Sequence, residues 1–235
     1  LLAHITFTLA DRVTPDLAFS FETGFPRTFP DFVGPKDPLR VGVSPMAYML
    51  KGNWPRENDD VFHPYFESLV GLTTELLRLG HEVTLFATAD ADNVVTAMLF
   101  DKIRAILSVN QSSKIRRIQV RTLRDLLPEM ARLDFVVASR LHGVILPHVC
   151  CLPVLAISYD RKVTSHMHTV GQDRNCLDIH VARVDDFLKC CENLRLELPF
   201  IGPKLIELNK TFEAALSLQY DHIAHLLSRS NTPSI

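Results

Sequence analysis

From Leu39 onward, short apolar runs alternate with longer segments of helical periodicity. Leu39 to Ser44 reads as a short strand. Over Val61 to Leu79, the residues Leu69, Leu72, Leu76 and Leu79 recur at helical spacing, and Gly80 supplies a C-terminal stop. Glu82 to Ala87 is a β-branched strand. Asp90 to Leu107 predicts a second helix, whose acidic first turn suits the positive end of the macrodipole. Ile118 to Val120 predicts a short strand. Thr122 caps a third helix to about Leu133, with Asp125 completing a weak capping box. Asp134 to Ala138 is a strand, Leu141 to Cys151 a helix and Val154 to Tyr159 a strand. Val184 to Asn193 and about Pro203 to Leu227 predict two closing helices. Strand and helix thus alternate about five times with short connections. That pattern predicts an α/β fold: a Rossmann-like parallel sheet with helices on both faces and right-handed crossovers.

The first forty residues break this rhythm. Pro15, Pro26, Pro30, Pro35 and Pro38 interrupt them, and Thr14 to Phe19 holds at most one short strand. The expected division is a linker or remnant of an N-terminal domain over residues 1–38, and one Rossmann-like domain over 39–235. The chain opens on Leu1 rather than methionine, which fits a fragment or a processed product. Leu1-Leu2-Ala3 lacks the basic start and apolar core of a signal peptide.

Apolar residues make up 47% and charged residues 22% of the 235, and the formal net charge is −2. This balance provides no global basic field to draw nucleic acid. No apolar run approaches the ~20 residues needed to span a bilayer. The five cysteines include the adjacent pairs Cys150-Cys151 and Cys190-Cys191, with Cys176 alone. None has C-x-x-C spacing, so free thiols in a reducing cytoplasm are expected.

Against this background one constellation carries chemistry. Ser139-Arg140-Leu141-His142-Gly143 follows a nearly all-apolar strand and opens a helix. Its connection is so short that Ser139 falls near the N-cap, where free backbone N–H groups face an anion. Arg140 can fork onto a carboxylate or phosphate, and His142 can transfer a proton near neutral pH. The competing structural role for Arg140 is a pair with an aspartate such as Asp134, with His142 as a helix cap. Ser158-Tyr159-Asp160-Arg161-Lys162 follows the next strand and opens onto the same edge. There Lys162 would add a second cation and Tyr159 a hydroxyl or a stacking face.

Other motifs point less sharply. Thr164-Ser165-His166-Met167-His168 holds an H-x-H pair, but in helical context with no third ligand, so no metal is expected. His63, His81 and His148 read as surface or packing residues. Ser44-Pro45-Met46-Ala47-Tyr48 ends the first strand at the crevice edge. Asn53-Trp54-Pro55-Arg56 holds the only tryptophan, which could reach over a ligand or pack on an upstream domain. Lys114-Ile115-Arg116-Arg117 reads as a solvated connection. No G-x-G-x-x-G or P-loop sequence is present, so classical dinucleotide and P-loop readings have no support.

Taken together, Ser139 to Gly143, Pro153 to Tyr159 with Lys162, and Thr14 to Phe19 resemble the polysaccharide pyruvyltransferases. Val41-Gly42-Val43-Ser44 and Gly80 to Phe86 fit the same family's strand pattern, so the similarity runs from about Thr14 to Asp186. Asp90-Ala91-Asp92 matches the family's acidic turn loosely. Some members carry an arginine after the first strand of this half, where this chain reads Ser44-Pro45-Met46-Ala47.

The resemblance implies the C-terminal, Rossmann-like half of a two-domain glycosyltransferase B architecture, with the N-terminal half outside this chain. It also implies phosphoenolpyruvate as donor, a sugar with two nearby hydroxyls as acceptor, and a pyruvate ketal on a glycan or lipid-linked precursor as product. No cofactor is expected. A lipid-linked acceptor would bring a cytoplasmic protein to the inner face of the membrane. In this reading Arg140 and Lys162 hold the anionic groups and His142 is the general acid or base, so Arg140 and His142 are the catalytic candidates. Ser139, Leu141, Gly143, Ser158 and Tyr159 line the donor site with Lys162. Two rivals stay open. One is a nucleotide-sugar glycosyltransferase of the same fold, with Asp185 or Asp186 as a weak ribose ligand. The other is a non-catalytic anion-binding fragment.

Overall fold

The computed structural model describes residues 14–21 and 37–230. Six strands alternate with seven helices among these residues. They are β1 (Arg40–Ser44), α1 (Asp59–Arg78), β2 (Glu82–Leu85), α2 (Asn93–Ile106), α3 (Val109–Ser112), β3 (Ile115–Arg117), α4 (Leu123–Met130), β4 (Phe135–Ala138), α5 (Leu141–Val149), β5 (Val154–Ser158), α6 (Arg161–Thr169), β6 (Cys176–Asp178) and α7 (Val184–Ser230). All five strand pairings are parallel, in the order β3-β2-β1-β4-β5-β6. This is the doubly wound order, and it places the reversal of direction between β1 and β4.

Period-two alternation explains why the central strands are apolar throughout. In β4, Phe135 and Val137 join one core with Leu69 and Leu72 of α1 and Phe187 of α7. Val136 and Ala138 face the opposite core, with Met130 of α4, Val144 of α5 and Met167 of α6. Both faces are covered, so a strand here has no solvent side to mark with polar residues.

Three expectations need correction. The strand expected at Ile118–Val120 lies at Ile115–Arg117, inside the basic cluster read as a connection. It is an edge strand with one buried side chain, and Arg116 pairs with Glu129 on α4. Thr14–Phe19 holds no strand. Asp16 accepts a hydrogen bond from the Ala18 N–H (2.9 Å) and caps a 3-10 turn at Leu17–Ser20. The two closing helices are one helix of 47 residues that runs through Pro199 and Pro203. A proline removes one intrahelical bond and strains its own turn. The buried side chains Phe187 and Leu194 before that stretch, Ile201 within it and Leu205 after it hold the helix to the body.

Phe19 is buried and packs its ring edge-on against Phe212 of α7 at 4.8 Å, and Ser20 Oγ lies 3.0 Å from Tyr220 Oη. The upstream turn is thereby docked on α5 and α7. Gly80 ends α1 with φ +95, the left-handed region that a Cβ disfavours. Gly80→Ala should cost about 1–2 kcal/mol in urea denaturation.

A buried polar chain joins α5 to α6. Gln172 Oε1 accepts from the Val154 N–H (3.2 Å), so its amide faces His148 Nε2 at 2.9 Å. His148 then carries its proton on Nδ1 and donates to His166 Nε2, also at 2.9 Å. Burial holds His148 well below the usual histidine range and lowers His166 to about 4. An unfolded histidine titrates near 6.5, so the unfolded chain binds more protons between that pH and about 4. Stability is therefore full above pH 6.5 and is lost as pH falls. The loss from His166 alone is on the order of 2 kcal/mol between pH 7 and pH 5. Denaturation midpoints across that window should fall, and less steeply in His166→Asn.

Candidate functional site

The crossovers leaving β1 and β4 run to opposite sides of the sheet, so their loops part at the C-terminal edge and leave a crevice. Ser44 of β1 pairs with Ala138 of β4 at that edge. The next residues along β4 are Ser139 and Arg140, and Arg140 is the N-cap of α5 in extended conformation. Its side chain makes no cap bond to the helix. The first N–H groups of α5 therefore meet the crevice free of any side-chain cap.

Arg140 is instead clamped by Asp92, which lies at the start of α2. Arg140 Nε and Nη2 donate to the two carboxylate oxygens of Asp92 at 2.5 and 2.7 Å. The Asp92 side chain is fully buried, and that of Arg140 is 24% exposed. Asp92 Oδ1 also accepts from the Ala47 N–H at 2.9 Å, so one carboxylate ties the loop after β1 to the turn after β4. Hydrogen bonding to Asp92 pushes the Arg140 guanidinium further up from its already high value. Two of its five N–H groups are used, which leaves three for a ligand. The competing structural role, a pair of Arg140 with an aspartate, is thus the one seen, with Asp92 rather than Asp134 as the partner. Asp134 instead accepts from the Arg40 backbone N–H (2.7 Å) and guanidinium (3.3 Å).

Ser139 is buried, and its Oγ lies 2.7 Å from Tyr65 Oη of α1. That phenol also accepts from the Met46 N–H at 2.9 Å. Burial raises the Tyr65 pKa well above the usual phenol range, so it stays a neutral hydroxyl. Ser139 thus braces the turn from beneath. Gly143 sits over the strand ends: a Cβ there would lie 3.4 Å from Ala138 Cβ and Thr88 Oγ1, and 3.6 Å from Ser44 Oγ. These two hydroxyls are buried without a hydrogen-bond partner among the described residues. Leu141, half-buried, packs between the second core and the Phe19 cluster.

The sequence profile of the family described as "Polysaccharide pyruvyl transferase" matches residues 9–161, well over half of the chain. The chain belongs to the polysaccharide pyruvyl transferase family. The match covers Ser139 to Gly143 and the strand into Tyr159, and it ends one residue before Lys162. Among solved structures, a mutant O-GlcNAc transferase from Thermobaculum terrenum is similar, with a TM-score of 0.53 and 13% sequence identity. The similarity covers 83% of this chain but only 38% of that one. At such identity the likeness is one of fold: this Rossmann-like sheet resembles part of a glycosyltransferase of type B. No curated protein matches the sequence.

The other candidate residues spread along the same edge. His142 lies in the first turn of α5 with its side chain 60% exposed, and its Nε2 is 4.0 Å from Asp16 Oδ2. That carboxylate belongs to the docked upstream turn, and it gives the imidazole an acidic neighbour. Among the described residues, no hydrogen bond or ion pair joins His142 to Arg140 or Lys162. Ser158 ends β5 and donates to the Asp160 carbonyl at 3.0 Å. Asp160 caps α6, its Oδ1 accepting from the Lys162 N–H at 2.8 Å. The Lys162 side chain is left at an exposed position at the start of α6. Tyr159 and Trp54 meet near Arg140, with the guanidinium carbon 5.8 Å from the Trp54 ring centroid.

Asp92, Tyr65 and Asp16 are residues of the candidate site to which the sequence assigned no role there. Asp92 was visible as part of an acidic turn, but its partner stands 48 positions away. Among the described residues no cluster of three or more His, Cys, Asp or Glu is placed to hold a metal ion. No helix among them is long and apolar enough to cross a membrane. None of the five cysteines is joined in a disulfide. Asp186 accepts from the Arg183 N–H at 2.9 Å and so caps α7, while Asp185 is exposed beside it.

Proposed function

We propose that the crevice between β1 and β4 binds phosphoenolpyruvate, and that the chain carries the donor half of a transfer of pyruvate onto a sugar as a ketal. The observation that carries this is the clamped Arg140 at the head of α5, in a chain of this family. The donor has a carboxylate and a phosphate. The three open N–H groups of Arg140, the free N–H groups of α5 and the Lys162 ammonium are a matching set of donors. Because Asp92 neutralises part of the Arg140 charge, the helix end and Lys162 supply the rest.

The chemistry fits this arrangement. The enol carbon takes a proton and becomes a methyl group. One acceptor hydroxyl adds to the neighbouring carbon, and the second displaces phosphate. The acceptor gives up two protons; one is accounted for on the methyl group and the other on the phosphate. His142 is the group proposed to move the first of these. The acceptor is a glycan or a lipid-linked sugar, and the latter would place the reaction at a membrane surface.

His142→Ala should reduce turnover by about 100-fold or more while changing donor affinity by less than about threefold. Turnover is read as phosphate release in the presence of acceptor, and affinity as phosphoenolpyruvate binding by calorimetry. Unchanged turnover in that variant contradicts the role of His142.

A further inference from the structure

Beside the clamped arginine, three aromatic rings converge at the C-terminal edge of the sheet. Tyr48 follows β1, Trp54 stands in the loop before α1, and Tyr159 follows β5. Ring centroids are 5.2 Å apart for Tyr48 and Trp54, 5.4 Å for Tyr48 and Tyr159, and 6.1 Å for Trp54 and Tyr159. Tyr48 is buried as the floor, and Trp54 and Tyr159 are half-buried above it. The rings are fixed by their backbone. The Trp54 N–H donates to the Leu50 carbonyl (3.1 Å), and the Asn58 N–H closes the loop on the Met49 carbonyl (3.0 Å). Met49 holds φ 60, a left-handed conformation costly for a side chain of that size. A loop kept in that shape to present a half-exposed tryptophan needs more explanation than packing.

Polar groups ring these aromatics. His180 lies 5.9 Å from Tyr48 and is exposed. Asp160 and Asp178 are exposed nearby, and both act on the Tyr48 hydroxyl by charge, adding to the larger effect of its burial. An aromatic floor edged by carboxylates and an imidazole matches the two surfaces of a pyranose. The C–H face of the sugar stacks on rings, and its hydroxyl edge donates to carboxylates.

We propose that Tyr48, Trp54 and Tyr159 are the platform on which the acceptor's pyranose ring stacks, with Asp160, Asp178 and His180 reading its hydroxyls. The inference rests on the donor reading above, because Arg140 touches Trp54 and would set the donor next to that ring. A neutral sugar is favoured over a nucleotide, whose diphosphate would meet the two rim carboxylates.

Trp54 is the only tryptophan in the chain, so its fluorescence reports on this platform alone. Methyl glycosides of galactose, glucose and mannose are titrated at millimolar concentration, with phosphoenolpyruvate and uridine and guanosine nucleotides as separate arms. At least one glycoside should give a saturable change in emission. By ligand-observed NMR, Trp54→Ala should weaken that binding about tenfold or more, and Trp54→Phe should retain most of it. Circular dichroism confirms that the variants are folded. Three results overturn the proposal: no glycoside response, undiminished glycoside binding in Trp54→Ala, or a response to nucleotides alone. Glycoside binding without phosphoenolpyruvate binding would sink the donor reading and leave the platform standing.

Discussion

Arg140→Lys is expected to lower turnover by about 100-fold and phosphoenolpyruvate affinity by at least about tenfold, with little loss of stability. The lysine keeps a positive charge beside buried Asp92, so no carboxylate is stranded. What disappears is the planar fork. In the native site Nε and Nη2 grip Asp92, and the remaining N–H groups are thereby aimed as a rigid set. An ammonium is a single rotatable point that cannot face Asp92 and a donor anion together in fixed geometry. Arg140→Ala is the harsher change, but it leaves Asp92 buried without its cation, so it confuses instability with lost binding. Calorimetry of phosphoenolpyruvate binding, beside a urea melt of the same preparation, separates the two effects. Full donor affinity in Arg140→Lys would show that Arg140 does not hold the donor.

Asp92→Ala should destabilise the chain by about 3 kcal/mol or more in urea denaturation. The fully buried carboxylate accepts from the Ala47 N–H and from two Arg140 nitrogens, and its removal leaves all three without that acceptor. The Asp92 carbonyl also accepts from Thr96 Oγ1 at 2.7 Å, so the start of α2 is fastened on both sides. Asp92→Asn tests position apart from folding. The amide oxygen can keep the Ala47 bond, so the stability loss should be smaller. Arg140 keeps its charge but loses its anchor, so turnover should fall further than donor affinity. Equal stability of Asp92→Ala and the native chain would contradict the clamp.

The central sheet was legible because buried parallel strands are apolar on both sides. Leu39 to Ser44, Glu82 to Ala87, Asp134 to Ala138 and Val154 to Tyr159 each coincide with a strand, at slightly greater length. The edges were not legible. Ile115–Arg117 buries one side chain and exposes two arginines, so nothing in its composition separates it from a loop. Cys176–Asp178 has no buried position at all, and it was not anticipated. Pro199 and Pro203 suggested a break that packing of α7 on the core overrides. At the site, the turn after β4 was legible as a local motif of Arg, His and Gly opening a helix. Its support was not. The Arg140–Asp92 and Ser139–Tyr65 pairs span 48 and 74 positions, distances at which one sequence carries no pairing signal. His142 was read with Arg140 as parts of one strand-to-helix turn and of the R-L-H segment the family resemblance rests on. Residues two positions apart on a helix point about 200° from each other, which sends His142 outward to Asp16 while Arg140 turns inward to Asp92.

What the crevice binds decides the donor assignment most directly. A thermal-shift titration of the native chain with phosphoenolpyruvate, set beside uridine and guanosine diphosphate sugars, tests it in one experiment. The predicted result is a saturable rise in melting temperature with phosphoenolpyruvate that Arg140→Lys abolishes, and none with the nucleotide sugars. Stabilisation by a nucleotide sugar instead, or by no ligand at all, would contradict it.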